Sequence, residues 1–503
     1  MLRGFQEIAV ISGFCLTVGA VCAPMAKAQQ DQQSDQQQNQ NQGQNGQQPV
    51  QSQAPIPAYR SPLASAAGDT DEGGPQTLTP DTTSLSGVQN LTLGTPVTHS
   101  YWQPHVDLFV TADSNGAEVP NGGSNWGLET SISGGIDLHR ISGKNDLSMS
   151  YTSGGVFSNE DGVGDGVVEG LYVGDKIALR RATISLFNQL EYLPESALGY
   201  GGLGGTTLGA GLGGLGGGFT PGQSLLVGQG QNIQDSTAAE ADILLTPRTS
   251  VTFVGGYSFL HYFDSDLFNF DNFNFRGGYN YQATRKDTLS AFYTFTGFRY
   301  SNADQSIDAH TFQVAYARRV TGKLAFQVAA GPQIVISRFP VTGTTTTGSE
   351  GTGPVTNITE VLWSLSTALT WQMERSALAV QYQHGVNGGS GVLAGALGNT
   401  VTGSFTHQVS RTFSDGILAG YSRSSGQAIA LLETEPINQA YDYTFVGVTG
   451  SHPFGPTVAL TFTYQLQFQT GSSAFCIQAT CGTNVIRNLI SVGVGWHERP
   501  LSF

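Results

Sequence analysis

VALTFTYQLQFQ, residues 458–469, is the stretch on which the fold turns. Val458, Leu460, Phe462, Tyr464, Leu466 and Phe468 are apolar or aromatic, while Ala459, Thr461, Thr463, Gln465, Gln467 and Gln469 between them are small or polar. A period of two is the signature of a strand whose successive side chains point to opposite faces. Alternation alone leaves open which face meets water. In a soluble sandwich the apolar face enters a core; in a membrane barrel it meets lipid and the polar face lines the interior.

The same pattern recurs from Tyr101 to Phe503 in about eighteen short segments, with sixteen as the alternative count. Helical periodicity is nearly absent. The connections alternate in length. One set is tight, at 142–144, 180–181, 247–248, 285–286, 321–322, 374–375, 412–413 and 453–455. The other set is long, at 114–124, 159–166, 194–236, 263–272, 300–307, 339–357, 388–397, 425–440 and 470–486. Short turns on one rim and long loops on the other describe an up-and-down barrel. The fold class expected is therefore all-β, a transmembrane up-and-down antiparallel β-barrel.

Three features choose lipid for the apolar face. The polar faces carry Gln, Ser, Thr and Gly, as in Gln381 and Gln383, or Ser491, Gly493 and Gly495, where a surface in bulk water would carry Lys and Glu. Aromatic residues gather toward segment ends, at Tyr101, Trp102, Tyr192, Tyr262, Phe263, Phe298, Tyr300, Phe339, Trp363, Trp371, Tyr441 and Trp496, as expected of a membrane–water interface. The sequence given ends in Phe503, a terminal aromatic of the kind the barrel-assembly machinery reads. Closure then requires the first and last strands to pair, because unsatisfied backbone groups in lipid are costly.

Composition agrees. Only 12% of the 503 residues are charged, 67 are glycine, and the formal charge of −15 excludes a basic nucleic-acid surface. Residues 1–28 read as a signal peptide: Arg3 precedes an apolar core, and Ala26-Lys27-Ala28 fits small-x-small cleavage. A lipoprotein reading fails on Cys22, which follows Val21 where a small residue is needed. Residues 29–100 are Gln/Asn-rich and then Pro/Ser/Thr-rich, the composition of a disordered arm, placed in the periplasm by an even strand number. Residues 101–503 form the barrel. Cys476 and Cys481, spaced C-x4-C in an oxidising compartment, are expected to form a local disulfide.

The tight turns are basic (Lys144, Arg181, Arg248, Arg285, Lys286, Arg319, Lys323, Arg375, Arg411) and the long loops acidic (Glu160, Asp161, Asp165, Asp264, Asp266, Asp271, Asp304, Glu350, Glu433, Glu435). These are either ordinary solvated loops or an outer vestibule that concentrates cations.

Motifs for chemistry are weak. Gly209, Gly211 and Gly214 make a G-x-G-x-x-G with no βαβ unit around it, so a dinucleotide site is rejected. The loop 194–236 that contains them either folds inward and narrows the lumen or stays outside. LHYFDSDLFNFDNFNF, 260–275, is either an aromatic girdle with an acidic tip or a sugar-stacking loop. The loop at 384–396 lacks the Lys and helix of a phosphate loop. His497-Glu498 begins an HExxH, but Leu501 stands where the second His belongs. No catalytic group, cofactor or metal site is expected. The residues expected to line a pore are Gln189, Gln313, Gln381, Gln383, Gln465 and Gln467, whose amides offer donors and acceptors to hydrated solutes.

Four stretches, LEYLPESALGYGG (190–202), RRVTGKLAFQVAAGPQIVISR (318–338), HGVNGGSGVLAGA (384–396) and SVGVGWHERPLSF (491–503), resemble a porin-like family of bacterial outer-membrane β-barrels, some members of which are linked to exopolysaccharide functions. The resemblance covers most of 140–503 and not the Gln-rich arm. It implies an outer-membrane channel for small solutes or exported polysaccharide, or else a non-conducting barrel that binds surface polysaccharide through its loops. The partners implied are lipid, the solute and the assembly machinery, with oligomers compatible.

Overall fold

Alternating segments pair into one continuous sheet. The computed structural model describes residues 100–115, 126–159, 165–193, 231–263, 267–301, 305–340, 355–373, 375–389, 393–410, 412–426, 440–471 and 484–502. Its strands are β1 (Tyr101–Asp113), β2 (Gly127–Ser142), β3 (Asn145–Ser158), β4 (Gly166–Ala178), β5 (Ala182–Leu193), β6 (Asn232–Thr246), β7 (Thr249–Tyr262), β8 (Phe270–Gln282), β9 (Asp287–Tyr300), β10 (Ser306–Arg319), β11 (Leu324–Pro340), β12 (Val355–Gln372), β13 (Ser376–Gly389), β14 (Ala394–Ser410), β15 (Phe413–Gly426), β16 (Ala440–Pro453), β17 (Val458–Gly471) and β18 (Asn484–His497). A two-residue piece, β19 (Leu501–Ser502), continues the line of β18 along β1.

Each of β1 to β18 pairs antiparallel with its sequence neighbours, and β1 pairs with β18 from His105↔His497 to Asp113↔Leu489. The sheet is thus a closed barrel of eighteen strands, and the count of sixteen is set aside. The tight connections fall where the sequence places them. One long connection does not: β13 runs to Gly389 and β14 starts at Ala394, so the expected loop 388–397 is mostly ladder. The signal peptide, the Gln-rich arm, the Cys476–Cys481 pair, Phe503 and nearly all of the 194–236 loop lie outside the described residues.

Strand β17 shows its two faces plainly. Gln465 and Gln467 are 0% exposed on the inner face, whereas Phe462 is 47% exposed on the outer face. Leu108, Val110, Phe253, Phe312, Val446 and Val492 likewise stand exposed around the outside. A closed apolar belt of that extent is not a surface for water. Among the described residues no helix is long and apolar enough to cross a membrane; the apolar belt is carried by strands.

Polar groups on the outer face are handled in pairs toward the long-loop rim. Tyr257 donates its hydroxyl to Asp271 at 2.6 Å, Tyr421 to Asp442 at 2.6 Å, Tyr382 to Asn399 at 3.2 Å and Tyr464 to Asn488 at 3.1 Å. An amphipathic ring with its polar tip engaged suits the headgroup level. Parity corrects part of the expected aromatic girdle. Trp102, Phe263, Trp363, Trp371 and Trp496 are exposed as expected, but Tyr101, Tyr262, Phe298, Tyr300 and Tyr441 are buried. Register sets these five on the inner face, because each stands opposite an inward residue: Tyr101 opposite His139, Tyr262 opposite Asn232, Tyr300 opposite Phe270. Position along a strand does not decide facing; odd or even position does.

Candidate functional site

The inner wall is polar by the same parity that makes the outer wall apolar. Gln313 donates its Nε2 to Ser364 Oγ at 3.0 Å, reaching across β11 where Gly331 carries no side chain. Gln189 donates to Glu191 at 2.6 Å. Gln381 stands opposite Ala368 and Thr402, and Gln383 opposite Ser366 and Thr400, so both face inward; Gln383 is exposed and Gln381 half-buried. Gln465 and Gln467 also face inward, but both are wholly buried. All six glutamines therefore share the inner face, on β5, β10, β13 and β17, and do not converge on one point.

Charge on this face is lopsided. Inward carboxylates among the described residues are Asp107, Asp113, Glu129, Asp137, Asp146, Glu191, Glu240, Asp242 and Glu360, set by their opposite partners. Inward fixed cations among the described residues are Lys176, Arg276, Arg319 and Arg487. Near the short-turn rim, His105 lies 3.4 Å from Asp137 and His139 Nε2 2.6 Å from Asp146, with Gln103 Nε2 donating to His497 Nδ1 at 2.9 Å. Among the described residues no group of three His, Cys, Asp or Glu is arranged to hold a metal ion.

At the long-loop mouth the wall departs from a simple cylinder. The β12–β13 ladder stops at Leu365↔His384, while β11–β12 continues to Pro340↔Val355 and β13–β14 continues to Gly389↔Ala394. Beyond His384 the β13–β14 ribbon bends into the lumen. The Val386 N–H donates to Gln333 Oε1 at 3.2 Å, Tyr300 donates its hydroxyl to the Gly388 carbonyl at 2.7 Å, and Gln305 Nε2 donates to the Ala394 carbonyl at 3.0 Å. Val386 and Ala394 pack on an inward apolar cluster that includes Phe270, Phe298, Tyr300, Ile307 and Val335. On the other side Leu393 and Ala396 pack on Tyr441 of β16. The ribbon thus bridges the mouth from β8–β11 to β16.

Glycine makes the approach feasible. A Cβ on Gly388 would sit 2.8 Å from the Phe270 ring, and Gly389 and Gly395 both have φ of +80°, a conformation that L side chains rarely adopt. Gly388, Gly389 and Gly395, from the stretch HGVNGGSGVLAGA, serve the bend among its described residues. The residues that hold it, Tyr300, Gln305 and Gln333, were not among the expected pore residues. Only their inward parity signals them in sequence.

Taken together, the fold and this inner face define a membrane-spanning β-barrel with a polar inner wall rich in carboxylates among the described residues and an infolded ribbon across one mouth. No protein-family model matches the chain, and no curated protein matches it. Among solved structures, Pseudomonas aeruginosa OpdQ is 10% identical, with 80% of this chain and 100% of that chain aligned at a TM-score of 0.38. Acinetobacter baumannii OccAB2 is 9% identical over 80% of this chain and 98% of that chain, TM-score 0.38. Pseudomonas aeruginosa OprD is 10% identical over 80% and 95%, TM-score 0.37. Likeness this loose adds nothing to the barrel, which stands on its own closed ladder.

Proposed function

We propose that the chain is an outer-membrane channel that passes small hydrated solutes, cations in preference to anions, by selection rather than by chemistry. The observation that carries this is the inner wall: amides and hydroxyls, with carboxylates outnumbering fixed cations among the described residues. Low-dielectric walls lined by one sign of charge focus the field and raise the local concentration of the opposite ion. Exported polysaccharide is a second class of cargo compatible with the same wall, since its hydroxyls need the same donors and acceptors.

The test is single-channel conductance of the refolded protein in a planar bilayer under a salt gradient. A steady conductance with a cation-side reversal potential supports the reading. An anion-side reversal potential overturns the charge argument.

The bridged mouth favours a second reading, a non-conducting barrel that holds surface polysaccharide at its long-loop rim. A barrel that is silent in the bilayer, yet still shows heat-modifiable gel migration and retains glycan on a column, would establish that reading instead.

A further inference from the structure

The place where β12 and β13 part company carries an inference about how the mouth opens. Both strands continue past their last shared pair, Leu365↔His384, and both keep their other neighbour. Extending the register without a shift sets Ser364 opposite Gly385, Trp363 opposite Val386, Leu362 opposite Asn387 and Val361 opposite Gly388. The extension is chemically consistent. Trp363 lies on the lipid face, and Val386 has the outward parity of Val380 and Tyr382, so an apolar pair would meet lipid. Asn387 would meet the lumen.

Instead, Val386 sits inside the barrel on the apolar cluster, and Gly388 lies against Phe270 and Phe298 of β8 and β9. Those strands are three to four places round the wall from β12, roughly 14–19 Å at the ordinary interstrand spacing. Side chains supply what the ladder does not: Gln333 accepts the Val386 N–H, and Tyr300 donates to the Gly388 carbonyl.

We propose that Gly385–Gly389 is a gate with two seats: folded in, bonded to Gln333 and Tyr300 and closing the mouth, or zipped onto the free edge of β12, completing the wall and opening the lumen. Both seats satisfy the Val386 N–H and the Gly388 carbonyl, one through side chains and one through the ladder, and the zipped seat also pairs the edge of β12. Glycine at 385, 388 and 389 lets the segment turn. The gating half of this proposal rests on the channel reading above; the movement does not.

The experiment uses the full-length chain in outer-membrane vesicles, in a background lacking the native cysteines. Trp363→Cys with Val386→Cys can join only in the zipped seat, because in the folded seat the two positions lie on opposite sides of β12. Thr367→Cys with Tyr382→Cys, an existing ladder pair, is the positive control. After mild oxidation, protection from a maleimide mass tag reads the bond. Protection of the test pair is expected, increasing severalfold when Tyr300→Phe or Gly388→Val weakens the folded seat. Oxidation is also expected to raise single-channel conductance severalfold, and reductant to reverse the rise. A protected control beside an unprotected test pair in all three backgrounds overturns the proposal. Protection without a rise in conductance overturns the gate while leaving the swing. If neither form conducts, the channel reading fails, and the tag still decides the swing.

Discussion

Asp113 and Arg487 face each other across the closing seam, both almost fully buried, with Arg487 Nε 2.7 Å from Asp113 Oδ2. Breaking such a pair from one side strands a buried charge and costs about 3–5 kcal/mol, whereas replacing both members with apolar groups is often neutral. Arg487→Met should therefore lower the urea midpoint of the refolded barrel sharply, and Asp113→Leu in the same chain should restore most of the loss. An unmoved midpoint in the single variant would show that the seam does not depend on this pair. The lumen allows a second comparison of single residues. Gln383→Trp, on the exposed inner wall, should cut conductance severalfold, while Phe462→Trp on the lipid face should leave it unchanged; equal effects would contradict the assignment of faces. Parity made the facing of Gln383 and Gln465 readable from sequence. It could not distinguish an exposed inward glutamine from a wholly buried one. That depends on what lies across the lumen, and parity says nothing of it. Tyr300 shows the same limit, since its partner Gly388 lies 88 residues away.

Elements were the most legible scale. A half-buried strand needs one apolar and one polar face, so residue type alternates for as long as the strand lasts, and several boundaries fall where that alternation stops. The largest displacement is β6, which begins at Asn232 rather than 237. The Gln234, Asp235 and Ser236 that precede 237 are polar on both faces, which hides the period. Asp235 is outward, yet it accepts from Asn188 Nδ2 at 2.8 Å and so is tolerated there. At 388–397 the glycines read as a loop, yet Gly389 pairs with Ala394 in a ribbon that leaves the wall. Glycine marks where backbone comes close to something without naming what. The elements on the lipid face carry their own prediction. Arg in place of Leu108 or Val492, each in mid-strand, should destabilise the barrel by about 2–4 kcal/mol if it lies at the bilayer midplane. Measured by the same urea titration, a cost near zero would place those positions outside the hydrocarbon.

Across the whole molecule, the even strand number, the closed ladder and the excess of inward carboxylate set the electrical character of the lumen. Glu360 is exposed on the inner side of β12, opposite Val335. Glu360→Lys should move the reversal potential in a salt gradient toward zero, with the largest effect at low ionic strength, where screening is weakest. No change at low salt would remove Glu360 from the conduction path. The seam between β1 and β18 has a further consequence, one of timing. Its partners, such as Gln103 and His497, stand 394 residues apart in sequence. Contacts that distant form late, since nothing local rewards the loop they close. Until β18 is in place, β1 presents an open edge, and open edges recruit the wrong strands. Assembly is therefore a race between closure and aggregation, in which the strand that emerges from the ribosome after the seventeen others ends the exposure of the first.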